Sequence, residues 1–470
     1  EMQEGLVVVE GSPRLGWVME SPENGTRQSA YEIDIREAFT GRSVWNSGKV
    51  YSSQSQLVST KGADIRPDNS FNYSWRVRVW DETDTPSEWS SEAKFRAVPE
   101  RLSSGQWIGA ITRQNAHLPE GRKFHGGELK KPEVKAAWEA VDTLAKKSIC
   151  LRRTFQVGDA KEGGANRKPG KKIVEATAYV CGLGFYEFSL NGKKVGNSEF
   201  APLWSDYDKT VYYNTYNVTE QLRRGENVVG ILLGNGFYNV QGGRYRKLQI
   251  SFGPPTLLFE LVINYEDGTC TTVHSDNNWK YDFSPVTFNC IYGGEDYDAR
   301  REQKGWNQIG FDDSHWRPVV IQEAPKGILR PQMAAPVKIM ERYDIQKVTK
   351  LNADQVASAS VSTKRTVDPS AFVLDMGQNL AGFPEITVRG KRGQKVTLIV
   401  AEALTEEGAC NQRQTGRQHY YEYILKGEGD ETWHPRFSYY GFRYIQVEGA
   451  VLKGQKNPQK LPVLKNIQSC

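Results

Sequence analysis

The chain has 470 residues, 25% of them charged and 38% hydrophobic, and its 12 Trp, 22 Tyr and 18 Phe exclude a disordered polymer. Sixty-one Lys and Arg against 56 Asp and Glu leave a net charge of +5, too small and too dispersed for the basic stripe of a nucleic-acid binder. No run approaches the ~18–20 apolar residues that cross a bilayer, so membrane insertion is not expected. At roughly 100–200 residues per domain the length predicts about three domains. The abundance of rings together with 44 Gly suits pleated strands and tight turns, so the expected fold class is all-β with little helix.

Residues 1–99 form the first expected unit. Leu6–Val9, Ala30–Ile35, Leu57–Ser59 and Asn72–Trp80 are short strand-like runs separated by Gly, Pro, Asn and Ser clusters. From Tyr73 to Trp80 apolar and polar residues alternate, the mark of a half-buried strand. With Glu88-Trp89-Ser90 after it, this pattern resembles a fibronectin type III module, which implies a spacer or interaction surface and no chemistry of its own.

Pro99 and Leu102-Ser103-Ser104-Gly105 read as a linker into a second unit, 104–332. Within it, Glu133–Lys147 carries Val134, Trp138, Val141 and Leu144-Ala145 at helical spacing and is expected to be the one substantial helix, packed on a sheet edge. Lys161–Lys172, the one dense basic run, is interleaved with Gly and Pro and reads as a solvated loop. Asn191-Gly192 and Asp267-Gly268 each sit between strand-like runs and predict two-residue hairpins. Dense strand signals with few helices suggest a jelly-roll sandwich. A third unit, 336–451, holds strand-like Phe372–Leu374, Ile386–Val388, Val396–Val400, His419–Leu425 and Tyr444–Val447 and reads as a second β-sandwich. Residues 452–470 are expected to be a linker, and their apolar end suggests that the chain continues.

Signatures of common catalytic machinery are absent: no GxSxG, HExxH, Walker loop or GxGxxG. The six cysteines follow no disulfide or zinc spacing and read as mostly buried thiols, and the six histidines are far apart. Glycoside hydrolysis requires two carboxylates flanking the scissile bond. Glu295-Asp296-Tyr297-Asp298, Asp312-Asp313 and Glu402 with Glu406-Glu407 are the acidic clusters available for it; all fall at strand ends or turns, where acidic residues cap and solvate. None shows the burial that raises a general acid's pKa. A sugar-binding surface has more support, because Phe200–Tyr216 sets Trp204, Tyr207, Tyr212, Tyr213 and Tyr216 beside Asp206, Asp208 and Asn214. Such rings either stack on the apolar face of a sugar or fill a sandwich core.

Tyr186–Gly196, Ala201–Tyr207, Tyr213–Thr219, Leu233–Tyr238 and Gly294–Arg300 together resemble the N-terminal β-sandwich of bacterial α-L-rhamnosidases, glycoside hydrolase family 78. Asp375–Gly382, Ala401–Leu404 and Trp433–Tyr444 extend the resemblance through the third unit. In that family an (α/α)6 barrel follows the second sandwich and carries the acid and base of an inverting reaction. The resemblance therefore implies the non-catalytic front portion of a glycosidase, acting on terminal α-L-rhamnosyl linkages and lacking its C-terminal catalytic domain. It implies a rhamnose-containing carbohydrate partner and a periplasmic or extracellular location. A free-standing carbohydrate-binding protein and a purely structural β-sandwich protein remain the alternatives.

Related sandwiches in the family resemble carbohydrate-binding modules that hold L-rhamnose through Ca²⁺. By motif position Asn191 and Asn235 are the matching candidate Ca²⁺ ligands, although Leu190 stands where an Asp would supply charge. Trp204, Tyr207 and Asn235 are the candidate sugar contacts.

Overall fold

A computed structural model describes residues 7–9, 12–38, 40–65, 72–97, 102, 105–119, 123–158, 171–245, 248–352, 371–415 and 418–470. Pro99, Ser103, Ser104 and most of the Lys161–Lys172 run fall outside them.

The alternation from Tyr73 to Trp80 does build a strand. In Asn72–Trp80, Tyr73, Trp75 and Val77 point into the core of the first module with Ile33, Ile35 and Phe95. This strand pairs with Ala30–Glu37 on one side and Ala93–Ala97 on the other, in a six-stranded sheet faced by the ribbon Arg14–Leu15/Val58–Ser59. The outward residues are not idle. Arg76 and Arg78 stack on Trp89 at 4.5 and 4.8 Å, and Arg78 and Lys49 lie over Trp80 at 5.1 and 4.7 Å. At about 0.5–1 kcal/mol per cation–ring contact, Trp89→Ala is expected to cost the first module about 1–2 kcal/mol. Thermal unfolding of this variant checks that; an unchanged transition would show the ladder to be ornamental.

The middle module packs two sheets face to face. One runs Val320–Ile321, Ile108–Gly109, Thr256–Tyr265, Ile173–Leu183, Thr210–Asn217, Ile328–Pro331, with Cys270–His274 joined to Thr256–Tyr265. The other runs Lys193–Lys194, Tyr186–Leu190, Gly225–Leu233, Ile149–Val157, Lys280–Phe283, Arg317–Pro318. Leu151, Phe188, Ile231, Phe259, Leu261 and Trp279 fill the space between them. Asn191 and Gly192, at φ 53° and 83°, form the expected two-residue turn, which needs left-handed backbone at both positions. At the second predicted hairpin only Gly268 is left-handed, and Tyr265 N–H donates to Thr269 O. That connection is a three-residue loop, Glu266-Asp267-Gly268. The expected helix is also shorter. It covers Pro132–Glu139, and Asp142 then caps the separate 3₁₀ turn Thr143–Lys146, while Trp138, Val141 and Ala145 keep the inward stripe.

Two expected boundaries are corrected in the third module. Its seven-stranded sheet runs Val286–Cys290, Gly294–Asp298, Tyr420–Ile424, Lys395–Ala401, Tyr440–Glu448, Phe372–Gly382, Lys347–Lys350. The Val286–Asp298 hairpin, expected inside unit 104–332, thus supplies two strands to the following module, Gly294–Asp298 pairing in parallel with Tyr420–Ile424. The second sheet runs Tyr343–Asp344, Val463–Ser469, Pro384–Arg389, Asp430–Trp433. Residues 452–470 are therefore not a linker: Val463–Ser469 is an interior strand. Leu464 and Ile467 are buried, each contributing about 1.5–3 kcal/mol of apolar burial.

Four cysteines, Cys150, Cys181, Cys290 and Cys410, are buried and free as expected, whereas Cys270 is exposed.

Candidate functional site

The Phe200–Tyr216 run divides its rings between core and surface. On strand Thr210–Asn217 the pleat turns Val211 and Tyr213 inward, and Tyr213 packs edge-on against Tyr179 at 6.0 Å. Trp204 lies in the loop before this strand. That loop is tethered where Leu203 N–H and Asn214 Nδ2 both donate to Gln332 Oε1, at 2.9 and 3.0 Å. Trp204 is 63% exposed, the most exposed described Trp, Tyr or Phe of the middle and C-terminal modules. It sits 5.6 Å from Phe237, which continues to Tyr292 at 5.9 Å and from there to Tyr245 at 4.8 Å. An indole held this way offers a flat apolar face to water without collapsing.

Tyr207 behaves differently from the expectation that it stacks at the surface. It is 4% exposed and packed at 5.2 Å on Tyr238 and 5.1 Å on Phe252. Asp206 turns the chain there, accepting from Asp208 N–H, so the ring folds under the loop into the sandwich and meets space only as one wall of a pocket of about 420 Å³.

The two asparagines are committed to the fold. Asn191 Nδ2 donates to Gln221 O and Asn227 Oδ1, and its Oδ1 accepts from Val228 N–H. Asn235 is fully buried; Nδ2 donates to Lys146 O and Asn289 O, and Oδ1 accepts from Asn239 Nδ2. Register places them at opposite ends of Tyr186–Leu190, because Leu190 pairs with Val229 and Tyr186 with Leu233. At about 3.3 Å per residue they stand roughly 20 Å apart, too far to share one ion. Ca²⁺ takes six to eight oxygens, several of them carboxylate. Among the described residues no group of three or more His, Cys, Asp or Glu is arranged to hold a metal. The residues present do not fit a Ca²⁺ site, and Asn235 has no face for a sugar.

The carboxylates give one result that sequence reasoning missed. Asp298 caps a 3₁₀ turn and pairs with Arg300 and Arg301, Asp313 pairs with Arg152 and Lys280, and Glu402 accepts from Asn379. Glu295 has no exposure at all. Its oxygens accept from the backbone N–H of Arg436 at 3.0 Å and of Phe437 at 2.9 Å. Burial pushes it up to about 8, against the opposing pull of those amides and of Arg436. Arg436 also reaches Glu187 at 3.2 Å and donates to His434 Nε2 at 3.0 Å, while Lys194 bonds Glu199 at 2.7 Å. Burial raises Glu187 too, but Arg436 and Lys194 hold it below the ordinary carboxylate range.

A pKa near 8 suits a general acid, yet a donor must reach substrate, and both oxygens of Glu295 face protein amides. The cluster is a polar bolt between the middle and third modules. Gly234 belongs to the same seam, since a Cβ there would lie 2.4 Å from the Phe437 ring. No local pattern near Glu295 announces this, because the covering residues are some 140 positions away.

Comparison with known proteins adds the lineage. Residues 1–98 match the family model described as Rha78A-like, N-terminal immunoglobulin domain. Residues 171–341 match the Alpha-L-rhamnosidase N-terminal domain, and residues 365–465 the Bacterial alpha-L-rhamnosidase concanavalin-like domain. An alpha-L-rhamnosidase of Formosa agariphila is 33% identical over 468 residues, covering 95% of this chain and 45% of that protein. One of Streptomyces avermitilis is 30% identical over 576 residues, covering 93% and 54%. The chain spans about half the length of the curated relatives it matches. Among solved structures, alpha-L-rhamnosidase from Dictyoglumus thermophilum superposes with a TM-score of 0.73 at 28% identity, over 98% of this chain and 47% of that one. The Streptomyces avermitilis enzyme complexed with L-rhamnose gives 0.75 at 26% identity, over 98% and 56%.

Proposed function

Because the chain is homologous to the N-terminal part of α-L-rhamnosidases, we propose that it is the non-catalytic β portion of such a glycosidase, holding a catalytic domain in place and offering a sugar-binding face at Trp204. The parent protein would hydrolyse terminal α-L-rhamnosyl linkages with inversion, in the periplasm or outside the cell. The observation that carries this reading is the coverage: nearly all of this chain corresponds to about half of each relative. It is supported by Asp298 and Asp313, which are ion-paired, and by Glu295, which is sealed from solvent. No helix among the described residues is long and apolar enough to cross a membrane.

The chain by itself is expected to leave an aryl α-L-rhamnoside intact; turnover would overturn the non-catalytic assignment. Calorimetric titration with L-rhamnose is expected to show weak binding. Trp204→Ala should reduce it about tenfold, equivalent to about 1.4 kcal/mol, and added Ca²⁺ should change nothing. Absence of heat would leave a structural scaffold, and binding indifferent to Trp204 would remove the Trp204 face.

A further inference from the structure

The pocket walled by Tyr207 lies where loops from several strands of the seven-stranded middle sheet converge. Phe252–Thr256 joins Leu248–Ser251 to Thr256–Tyr265, Gln322–Lys326 follows Val320–Ile321, and Arg113 follows Ile108–Gly109. Tyr207, Tyr238 and Phe252 form a mutually packed aromatic wall, with ring centroids 5.1–6.0 Å apart. The charged groups Asp208, Glu323 and Lys326 stand exposed at its rim. At about 420 Å³ it falls within the ~300–1,000 Å³ of small-ligand sites and is wider than one pyranose needs.

Arg113 sets this pocket apart. Other arginines drawn into the fold meet a carboxylate: Arg96 meets Glu175, Arg152 meets Asp313, Arg244 meets Asp296 and Arg436 meets Glu187. Arg113, half-buried, has no acidic partner among the described residues. Among the described residues its one side-chain hydrogen bond runs from Nη1 to Phe252 O at 2.7 Å, which anchors one edge of the guanidinium. The remaining N–H donors are left for something else. A guanidinium oriented in this way is a two-pronged receptor for a planar carboxylate. An aromatic wall beside it suits the C–H face of a sugar ring, and Glu323 at the rim can accept from ring hydroxyls.

We propose that this pocket binds an acidic saccharide unit, a pyranose whose carboxylate pairs with Arg113 and whose ring lies against half-buried Phe252, which the buried rings of Tyr207 and Tyr238 back. The inference extends the reading of the chain as carbohydrate-binding, but places a second ligand of different chemistry at a site separate from Trp204.

Titration of the whole chain with D-glucuronate and D-galacturonate, followed by ligand-detected NMR and calorimetry, tests it against acetate and L-rhamnose. A uronate is expected to bind, and acetate to compete with it poorly. Arg113→Gln, which keeps a donor for Phe252 O, should weaken uronate binding at least about tenfold and leave L-rhamnose binding at Trp204 unchanged. Phe252→Ala should weaken it as well. No uronate binding, or binding that survives Arg113→Gln, overturns the proposal. Acetate binding as tightly as the uronates removes the saccharide and leaves only an anion site, which also overturns it. Uronate binding that depends on Arg113, with no response to L-rhamnose, would sustain the pocket and sink the Trp204 platform.

Discussion

Arg96→Met is expected to lower the stability of the first module by about 3 kcal/mol or more and to separate its unfolding from that of the rest. Arg96 belongs to strand Ala93–Ala97 of that module, but its guanidinium is fully buried against the next one. It donates to Thr177 Oγ1 at 2.6 Å and Tyr179 OH at 3.3 Å and pairs with Glu175. All three acceptors lie on Ile173–Leu183, a strand of the middle sandwich. Removing one member of a buried pair costs about 3–5 kcal/mol, because the partner keeps its desolvation cost without its counter-charge. Glu175 retains some exposure, which places the expectation at the lower end. Arg96→Met combined with Glu175→Gln should recover part of the loss, since the stranded charge is then gone. Differential scanning calorimetry reads both effects. A single transition unchanged from wild type would mean that the two modules are held by other contacts.

The second large effect is a pH dependence centred on Glu295. Its carboxyl is raised by burial to about 8, above the 4.5 of an unperturbed glutamate, so folding takes up a proton. The stability it contributes is complete below about pH 4.5 and is lost as pH rises through about 8. Glu199 and Asp296, raised chiefly by burial, add to the same slope. His434 and His419 act in the opposite direction. Burial lowers each to about 4, so their contribution is complete above pH 6.5 and is lost as pH falls through about 4. The neutral state of His434 agrees with its hydrogen bonds, Nδ1 to Pro435 O and Nε2 accepting from Arg436. Stability is therefore expected to peak at mildly acidic pH and to fall toward pH 8 by on the order of a few kcal/mol. Glu295→Gln should cost a constant amount, because its amide meets donors, and should remove most of the alkaline slope. Urea midpoints between pH 5 and pH 9 supply the measurement. If the mutant falls as steeply as the wild type, Glu295 is not the titrating group.

Both residues show why parts of this molecule were legible and others not. Asn72–Trp80 announces itself because alternation is a property of adjacent residues, and the Asn191-Gly192 turn because left-handed backbone is a property of the residue types. The capping and pairing of Asp298 and Asp313 likewise match what acids at turns ordinarily do. Glu295 sits in an equally acidic turn-like stretch and is nonetheless sealed, because Arg436 and Phe437 close over it. Trp204 and Tyr207 are three positions apart, with the same aromatic character, and end on opposite sides of the molecular surface.

Local order was thus in the sequence itself: an all-β chain, its turn residues, the inward stripe of the short helix and the sequence of three modules. Sheet membership, and the exposure of individual side chains, were decided by the tertiary structure. Hydrogen bonds along a strand edge are nearly independent of residue type, so nothing local told Val286–Asp298 to extend the third module's sheet, or Val463–Ser469 to enter its second. Burial likewise depends on what a distant segment lays over a residue. For that reason the same pass along the chain could name the rings and acids of interest, while only the assembled fold separated an exposed Trp204, an Arg113 without an acidic partner among the described residues and a sealed Glu295.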